Sequence, residues 1–259
     1  MVTTAFSPET LVSLDRIHER LESARRVLFI TGAGLSADSG MPTYRGIGGL
    51  YNQGATEEGV RIEEALSGPM MRDDPALCWK YIAQIEAACR GAHPNAGHRA
   101  IAELEERLDV HVLTQNVDGL HARAGSTQII PIHGDVHLLR CTRCPWHETV
   151  LDYAALALPP ACPDCSALVR PEVVLFGEML PSAPLRALLT EVQRGFDAVF
   201  SVGTTSVFPY IAEPVLQARA RGALTVEVNP GETSLSGIVD EKIAHGAADV
   251  LAAIRDRLR

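Results

Sequence analysis

A short apolar run that ends in glycines constrains the fold of this chain more than any other feature. Residues 27–31 read Val-Leu-Phe-Ile-Thr, and Gly32 and Gly34 follow directly. A continuous apolar run of this length is typical of a strand buried on both faces of a parallel sheet. Similar runs, each followed by a polar or glycine-containing turn, recur at residues 110–114, 198–202 and 225–228. The sequence therefore predicts several parallel strands.

Helical periodicity is found between these runs. Apolar residues recur at helical spacing over residues 8–25, and similar patterns cover residues 96–108 and 211–220. Alternating strands and helices predict an α/β fold with a Rossmann-like, doubly wound parallel sheet. Ligands of such sheets bind beyond the carboxyl ends of the strands, so the turns after the apolar runs are the expected place for a functional site.

Two segments interrupt the alternation and predict a second, smaller domain. Residues 46–95 combine loop and helix patterns, and residues 137–172 contain four of the six cysteines. We expect a Rossmann-type nucleotide-binding domain formed by residues 1–45, 96–136 and 173–259. The small domain would combine the helical segment with a zinc ribbon.

The cysteine spacing predicts a metal site. Two Cys-x-x-Cys pairs, separated by 17 residues, are formed by Cys141, Cys144, Cys162 and Cys165. This spacing is typical of a four-thiolate zinc site, and because four thiolates fill the tetrahedron, the zinc would be structural. A redox motif or unrelated buried thiols are the alternatives. We expect Cys78 and Cys89 to be plain buried thiols.

The charge and hydropathy of the chain exclude several classes of partner. A formal net charge of −9 argues against binding to phosphate backbones, which requires a basic face. An acidic surface is compatible with basic peptide segments. No stretch reaches the roughly 18 apolar residues of a membrane span, and the first residues lack the basic start and apolar run of a secretion signal. We expect a cytoplasmic protein without direct nucleic-acid or membrane partners.

The glycine turn after the first run fits the Gly-x-Gly-x-x-Gly/Ala pattern of nucleotide-binding turns. Missing side chains at Gly32 and Gly34 would let backbone amides approach a pyrophosphate. The acidic ribose contact usual about 20 positions further on is not evident, because Glu57 and Glu58 lie in a loop-like stretch. This absence argues against dehydrogenase chemistry. A tight turn without a ligand is equally compatible with the glycines alone.

Polar residues follow two further apolar runs. Gln115, Asn116 and Asp118 come directly after residues 110–114, where they would contact a ligand. His133 ends the run Ile-Ile-Pro-Ile, where a neutral imidazole is suited to general-base catalysis near pH 7. Five other histidines are interpreted as structural: His18, His93, His98, His111 and His245.

Taken together, these motifs resemble the sirtuin family in order and spacing. The resemblance rests on residues 32–45, 114–118 and 132–134, the paired cysteines, and residues 170–178, 202–206 and 227–230. It covers nearly the whole chain from about residue 26. The resemblance implies an enzyme that removes acyl groups from lysine side chains and consumes NAD, giving nicotinamide and O-acyl-ADP-ribose. The implied cofactors are NAD as co-substrate and a structural zinc ion.

The resemblance also implies roles for individual residues. His133 matches the base that activates a ribose hydroxyl, and Asn116 is assigned to catalysis with it. Residues expected around NAD are Gly32, Ala33, Gly34, Ser36, Tyr44, Arg45, Gln115, Asn116, Asp118, Gly203, Thr204, Thr205, Asn229, Pro230 and Ala247. The family usually has Phe where this chain has Tyr44. After Thr205 the chain is one residue shorter than the common form.

The implied protein substrate is an acylated lysine in an extended peptide. We expect the peptide to pair as a strand with residues 173–177, with Val174, Phe176 and Gly177 in contact.

The acyl pocket is predicted from the helix that precedes Pro94. Some bacterial-type sirtuins that prefer acidic acyl groups share a pattern of Trp, then Tyr three positions later, then Arg three positions beyond that. From Trp79, Ile82 and Ile85 occupy the Tyr and Arg positions, and a shift by one residue gives Tyr81 and Gln84. An acyl carboxylate would then be buried without a cationic partner, so we expect neutral acyl groups. Alternatively, Ile82 and Ile85 are an ordinary packed helix face.

Two other functions are compatible with the same motifs. ADP-ribosyl transfer to a protein uses the same cleavage of NAD with a different acceptor. A non-catalytic NAD-binding protein is the second alternative, against which the presence of His133, Asn116 and Asp118 argues.

Overall fold

The computed structural model describes residues 6–41 and 56–259. The helices are α1 Pro8–Leu21, α2 Ala33–Ala37, α3 Ile62–Ala65, α4 Gly68–Asp73, α5 Pro75–Cys89, α6 Ala96–Leu104, α7 Leu120–Ala124, α8 Ser182–Arg194, α9 Pro209–Ala220 and α10 Ala247–Leu258. The strands are β1 Arg26–Thr31, β2 Asp109–Thr114, β3 Ile129–Pro131, β4 Gly134–Cys141, β5 His147–Thr149, β6 Val169–Val173, β7 Ala198–Val202, β8 Leu224–Val228 and β9 Glu241–Ile243.

Six of these strands form one sheet in the order β3-β2-β1-β7-β8-β9. Every pairing within this sheet is parallel. When only the strands of this sheet are numbered along the chain, the order becomes 3-2-1-4-5-6, which is that of the Rossmann fold. In this fold the strand order reverses between the first and the fourth strand. The predicted parallel sheet is confirmed, and its switch point lies between β1 and β7.

Alternation along β1 explains why its apolar run is continuous. Val27 and Phe29 belong to one buried cluster, which includes residues of α1, α6 and α10. Leu28 and Ile30 belong to a second cluster on the opposite face, with residues of α8 and α9. Because both faces of the strand are covered by helices, every position is apolar.

The first helix is shorter than its periodicity predicts. It was expected to extend to residue 25 but ends at Leu21. The backbone N–H groups of Arg25 and Arg26 both donate to Asp197 Oδ2, at 2.8 and 2.9 Å. This tertiary contact turns the chain into β1 and replaces the last helical turn. Helix α6 is also shorter than its periodicity predicts, because it ends at Leu104 and not at residue 108.

A second sheet of three antiparallel strands has the order β5-β4-β6. Its apolar residues pack with α3, α4 and α5 in a third buried cluster, which includes Ile62, Trp79, Val136 and Tyr153. Trp79 Nε1 donates to the Val169 carbonyl at 3.0 Å, so the largest buried side chain is also hydrogen-bonded.

In the described part of the chain, none of the helices has the length and apolar character needed to cross a membrane.

Replacement of Phe29 by Ala tests the contribution of the central strands. The Phe29 and Phe200 rings are fully buried and stack with centroids 4.8 Å apart. We expect Phe29→Ala to lower the free energy of unfolding, measured by urea denaturation, by about 3–5 kcal/mol. The control Leu189→Ala removes a leucine of α8 that is 52% exposed, and should change it by less than about 0.5 kcal/mol. Equal losses would contradict this assignment of the core.

Candidate functional site

The turns after β1 and β7 are in direct backbone contact at the switch point. Gly32 N donates to the Val202 carbonyl at 3.0 Å, and Gly34 N donates to the Gly203 carbonyl at 2.9 Å. A Cβ atom on Gly34 would lie 2.7 Å from Gly203 Cα. Gly203 has φ +59, in the left-handed region that favours glycine. The close approach of the two turns therefore requires glycine on both sides, as a tight turn does with or without a ligand.

A hydrogen-bonded polar network lies beside these turns. Asn116 Nδ2 donates to the Gly32 carbonyl at 3.0 Å and contacts Ser36 Oγ at 3.1 Å. Ser36 Oγ in turn donates to Asp118 Oδ2 at 2.7 Å. The residues predicted from two different turns are thus brought together by the parallel pairing of β1 and β2.

Asp118 is the buried acid of this network. Its side chain is almost fully buried, and Asp118 Oδ1 accepts the Leu120 backbone N–H at 2.9 Å. Burial raises the pKa of the Asp118 carboxyl, although the Leu120 N–H and the Ser36 hydroxyl act in the opposite direction. The two hydrogen bonds fix the orientation of both carboxylate oxygens.

Gln115 connects the network to the turn after β7. Its Nε2 donates to Thr204 Oγ1 at 2.7 Å. Asn229, which follows β8, donates from Nδ2 to the Thr204 carbonyl at 3.0 Å. Thr204 is buried, whereas Thr205 and Pro230 are exposed beside it. Residues that follow β2, β7 and β8 therefore contribute to one surface.

Of the other predicted NAD contacts, Ala33 and Ala247 are described by the structure, whereas Tyr44 and Arg45 are not. Ala33 begins α2 directly after Gly32, and Ala247 is buried at the start of α10. Glu57 and Glu58, the acids about 20 positions beyond the glycine turn, both bind Lys80 Nζ, at 2.7 and 2.6 Å. Tyr44 and Arg45 lie outside the described residues.

His133 follows β3 and is half-buried. His133 Nδ1 lies 3.0 Å from the Gln115 carbonyl oxygen. His133 Nε2 lies 2.8 Å from Tyr210 Oη. Burial lowers the pKa of the imidazole, and the Gln115 carbonyl opposes this shift. The ring is therefore neutral near pH 7, and its Nε2 can accept a proton.

The segment after β6 is held on several sides. Val174 N donates to the His133 carbonyl at 2.9 Å. Phe176 N donates to the Leu66 carbonyl at 2.9 Å, and the Phe176 carbonyl accepts from Gly68 N at 3.0 Å. The N–H groups of Val174 and Phe176 thus have partners within the protein. These two N–H groups are therefore not available to a peptide. Of the three predicted peptide contacts, Gly177 is exposed and has φ +78.

An ion pair that the sequence did not indicate fixes the same segment. Arg170 binds Glu178 through two hydrogen bonds of 2.6 and 2.9 Å, and Glu178 Oε2 also accepts the Leu175 N–H at 3.0 Å. Although burial opposes it, the Arg170 contact leaves the pKa of Glu178 lowered. The spacing of eight residues carries no periodic signal.

The predicted acyl-pocket residues pack in the third cluster. Ile82 is 2% exposed there, and Ile85 is partly buried against the same cluster. In the shifted register, Tyr81 Oη donates to Glu58 Oε2 at 2.5 Å, and Gln84 is exposed. The packing of Ile82 agrees with the alternative of an ordinary helix face.

The four paired cysteines meet at one end of the three-stranded sheet. Their four Sγ atoms lie within 4.8 Å of one another, and two of the separations are 3.5 and 3.6 Å. Tetrahedral coordination with zinc–sulfur bonds of about 2.3 Å places sulfur atoms about 3.8 Å apart. The donor set therefore fits a structural zinc ion, as predicted from the spacing. Cys78 and Cys89 are buried and lie outside this cluster.

Comparisons with known proteins agree with this geometry. The sequence profile described as the Sir2 family matches residues 32–209, more than half of the chain. The chain belongs to the Sir2 family. A Pseudomonas aeruginosa Sir2 relative, named NAD-dependent protein deacylase 2, is 54% identical over 242 residues, covering 92% of this chain and 94% of the relative.

Solved Sir2 structures share the fold. A crystal structure of a Sir2 homologue in complex with NAD superimposes with a TM-score of 0.85 at 36% identity, covering 95% of this chain and 93% of that one. A Sir2 structure with a deacetylated p53 peptide and 3'-O-acetyl-ADP-ribose gives a TM-score of 0.84 at 29% identity, covering 94% and 97%. The likeness thus extends over both sheets of the Sir2 fold.

Replacement of one thiolate tests the metal site. We expect Cys162→Ser to reduce the zinc content, measured by mass spectrometry of the purified protein, from about one ion per chain to a small fraction, because the tetrahedron loses a ligand. The control Cys89→Ser should keep the metal, since burial raises the pKa of the Cys89 thiol to about 12 and keeps it protonated. Full zinc content in Cys162→Ser would contradict the assignment.

Proposed function

We propose that this protein is an NAD-dependent protein lysine deacylase that removes neutral acyl groups and gives nicotinamide and O-acyl-ADP-ribose. The observation that carries the proposal is His133, a neutral imidazole whose Nδ1 is bound to the Gln115 carbonyl beside the glycine turns. The P. aeruginosa relative is named as a deacylase of this kind, and the solved Sir2 structures hold NAD or its acetylated ADP-ribose product. These names support the substrate class.

The residues at the ends of β1, β2, β7 and β8 are proposed to bind different parts of NAD. Gly32, Gly34 and Gly203 let the turns after β1 and β7 pack closely, and the phosphates are proposed to lie on the surface that these turns form, as they do at helix N-termini and glycine turns in other nucleotide sites. Asn116 and Asp118, fixed through Ser36, hold the nicotinamide side. Thr204 and Asn229 hold the adenosine side, so an amide takes the place of the usual acidic ribose contact. NAD supplies a ribose carbon from which nicotinamide can leave.

His133 is the proposed general base. The Gln115 carbonyl accepts the Nδ1 hydrogen, so the proton of a ribose hydroxyl can pass only to Nε2. Asn116, on the same turn as Gln115, is proposed to act with His133 by orienting the reacting ribose. The carboxylate of Asp118 does not exchange protons in this scheme, because both of its oxygens already accept hydrogen bonds.

The proposed protein substrate enters beside the segment after β6. Because the Val174 and Phe176 N–H groups and the Phe176 carbonyl have partners within the protein, an extended peptide would pair mainly at Gly177. Backbone pairing selects weakly among neighbouring side chains, so we propose a broad range of protein substrates. We also propose a cytoplasmic location, in which the four thiols stay reduced for metal binding.

We further propose that the small domain comprises residues 46–95 and 137–172, and that the remaining segments form the nucleotide-binding domain. The third cluster supports this division, because most of its residues belong to the two small-domain segments, although Val136 and Leu175 lie just beyond the proposed boundaries.

Loss of His133 tests the proposed base. His133→Ala should lower kcat for an acetyl-lysine peptide by about 10²–10⁴-fold, since the ribose hydroxyl loses its proton acceptor. Nicotinamide release and peptide mass give the readout. His147→Ala, which removes an exposed histidine of β5, serves as the control and should retain activity. Full activity of His133→Ala would overturn the role.

The pH dependence follows from the same residue. Only neutral His133 accepts a proton, so activity should be lost as the pH falls through its pKa. Burial lowers that pKa below the ordinary value of 6.5. The acid limb of a plot of kcat/KM against pH should therefore have its midpoint below 6.5. A midpoint above this value would show that another group limits the rate.

A panel of acyl peptides tests the preference for neutral groups. An acidic acyl group needs a cationic partner, and neither register of α5 provides an arginine at the predicted position. We expect kcat/KM for acetyl-lysine to exceed that for succinyl-lysine by about tenfold or more, since a buried unpaired carboxylate costs at least 1–2 kcal/mol. Faster turnover of the succinyl peptide would refute the preference. Label on the protein without acyl loss would indicate ADP-ribosyl transfer instead.

A further inference from the structure

The tyrosine at the start of α9 contacts the proposed base directly. Tyr210 Oη lies 2.8 Å from His133 Nε2, while His133 Nδ1 lies 3.0 Å from the Gln115 carbonyl. A carbonyl oxygen only accepts, so Nδ1 carries the hydrogen of the neutral ring and Nε2 carries the lone pair. The Tyr210 hydroxyl is therefore the donor in the contact with Nε2.

The phenol is held in place by the turn that precedes it. Ser206 has φ 55, unusual for a residue other than glycine, and is buried. Ser206 N donates to Thr204 Oγ1 at 3.2 Å, and its hydroxyl contacts Ser201 Oγ at 3.1 Å. This turn leads directly into Phe208 and Tyr210.

Aromatic packing then fixes the orientation of the ring. The Tyr210 and Phe208 rings stack with centroids 5.4 Å apart and an interplanar angle of 13°. Both rings meet His133 edge to face, at interplanar angles of 82° and 87°. A phenylalanine at position 210 would keep this packing and lose only the hydroxyl. The hydroxyl thus has a role that packing does not explain.

We propose that Tyr210 is a positioning residue for His133. Its hydroxyl donates to the lone pair that the Nδ1–H tautomer, set by the Gln115 carbonyl, leaves on Nε2, and it occupies the place that a ribose hydroxyl takes during the reaction. The inference rests on the proposed function of His133 as the base. When the ribose hydroxyl binds, the Tyr210 hydroxyl turns away from Nε2 and keeps its proton. The ribose oxygen then gives its proton to Nε2.

The acid strengths of the two groups agree with this order of events. Burial raises the pKa of the Tyr210 phenol, so it stays protonated and acts only as a donor. Donation to the Nε2 lone pair stabilises neutral His133 and so lowers the pKa of the imidazole. The groups that face the ring in the described part of the chain are the Gln115 carbonyl, the Tyr210 hydroxyl and the two aromatic rings, all uncharged.

The test compares Tyr210→Phe with the wild-type enzyme. The pKa of His133 is measured by nitrogen NMR titration of the full chain, with the His133 signals identified by their absence in His133→Ala. We expect Tyr210→Phe to raise this pKa by about 0.5–1 unit, the size expected for one hydrogen bond to the neutral form. The acid limb of kcat/KM should move to higher pH by the same amount.

Tyr153→Phe is the matched control. It also removes a tyrosine hydroxyl, one that donates to the Val136 carbonyl in the third cluster, and it should change neither the pKa of His133 nor the acid limb. Circular dichroism confirms that each variant is folded.

The possible results separate the two proposals. An unchanged pKa and an unchanged acid limb in an active, folded Tyr210→Phe enzyme would overturn the role of Tyr210 and leave the deacylase function intact. A wild-type protein that releases no nicotinamide from NAD and an acyl-lysine peptide would overturn the proposed function itself. The NMR titration does not depend on activity, so it reports the hydrogen bond in both cases.

Discussion

The contact between the turns after β1 and β7 is the constraint on which the functional surface depends. At this point two parallel strands send their chains to opposite sides of the sheet, and a crevice forms between them. Gly34 and Gly203 bring the two backbones closer than side chains would permit. The loop after β1 thereby receives a fixed position relative to the loop after β7, and the residues that follow each strand become parts of one surface.

Gln115 connects the turn after β7 to the proposed base. Its side-chain amide binds Thr204, and its backbone carbonyl binds His133 Nδ1. One residue therefore sets both the position of the turn after β7 and the tautomer of the imidazole. Asn116, its neighbour, binds the Gly32 carbonyl on the other side. Two adjacent side-chain amides thus connect three loops.

The features that could be predicted from the sequence are those with local causes. The strands were recognisable because burial on two faces makes every position apolar, and the metal cluster because each knuckle is a local turn. The helix ends were less predictable, since α1 ends where distant Asp197 captures two backbone N–H groups. The contact between His133 and Tyr210 joins residues 77 positions apart and depends on the β7 turn. Ile82 shows the reverse difficulty, because a helix face directed at a ligand and one directed at a core have the same spacing.

The three residues after β6 have a mechanical consequence. Val174 is bound to the backbone of His133, and two positions later Phe176 is bound to Leu66 and Gly68, at the start of α4. A link of only three residues therefore joins the backbone of His133 to the helical layer. Any rocking of that layer against the parallel sheet would be transmitted to the histidine as a displacement of its main chain. The main chain that carries the proposed base is therefore tied to the helical layer as well as to the parallel sheet.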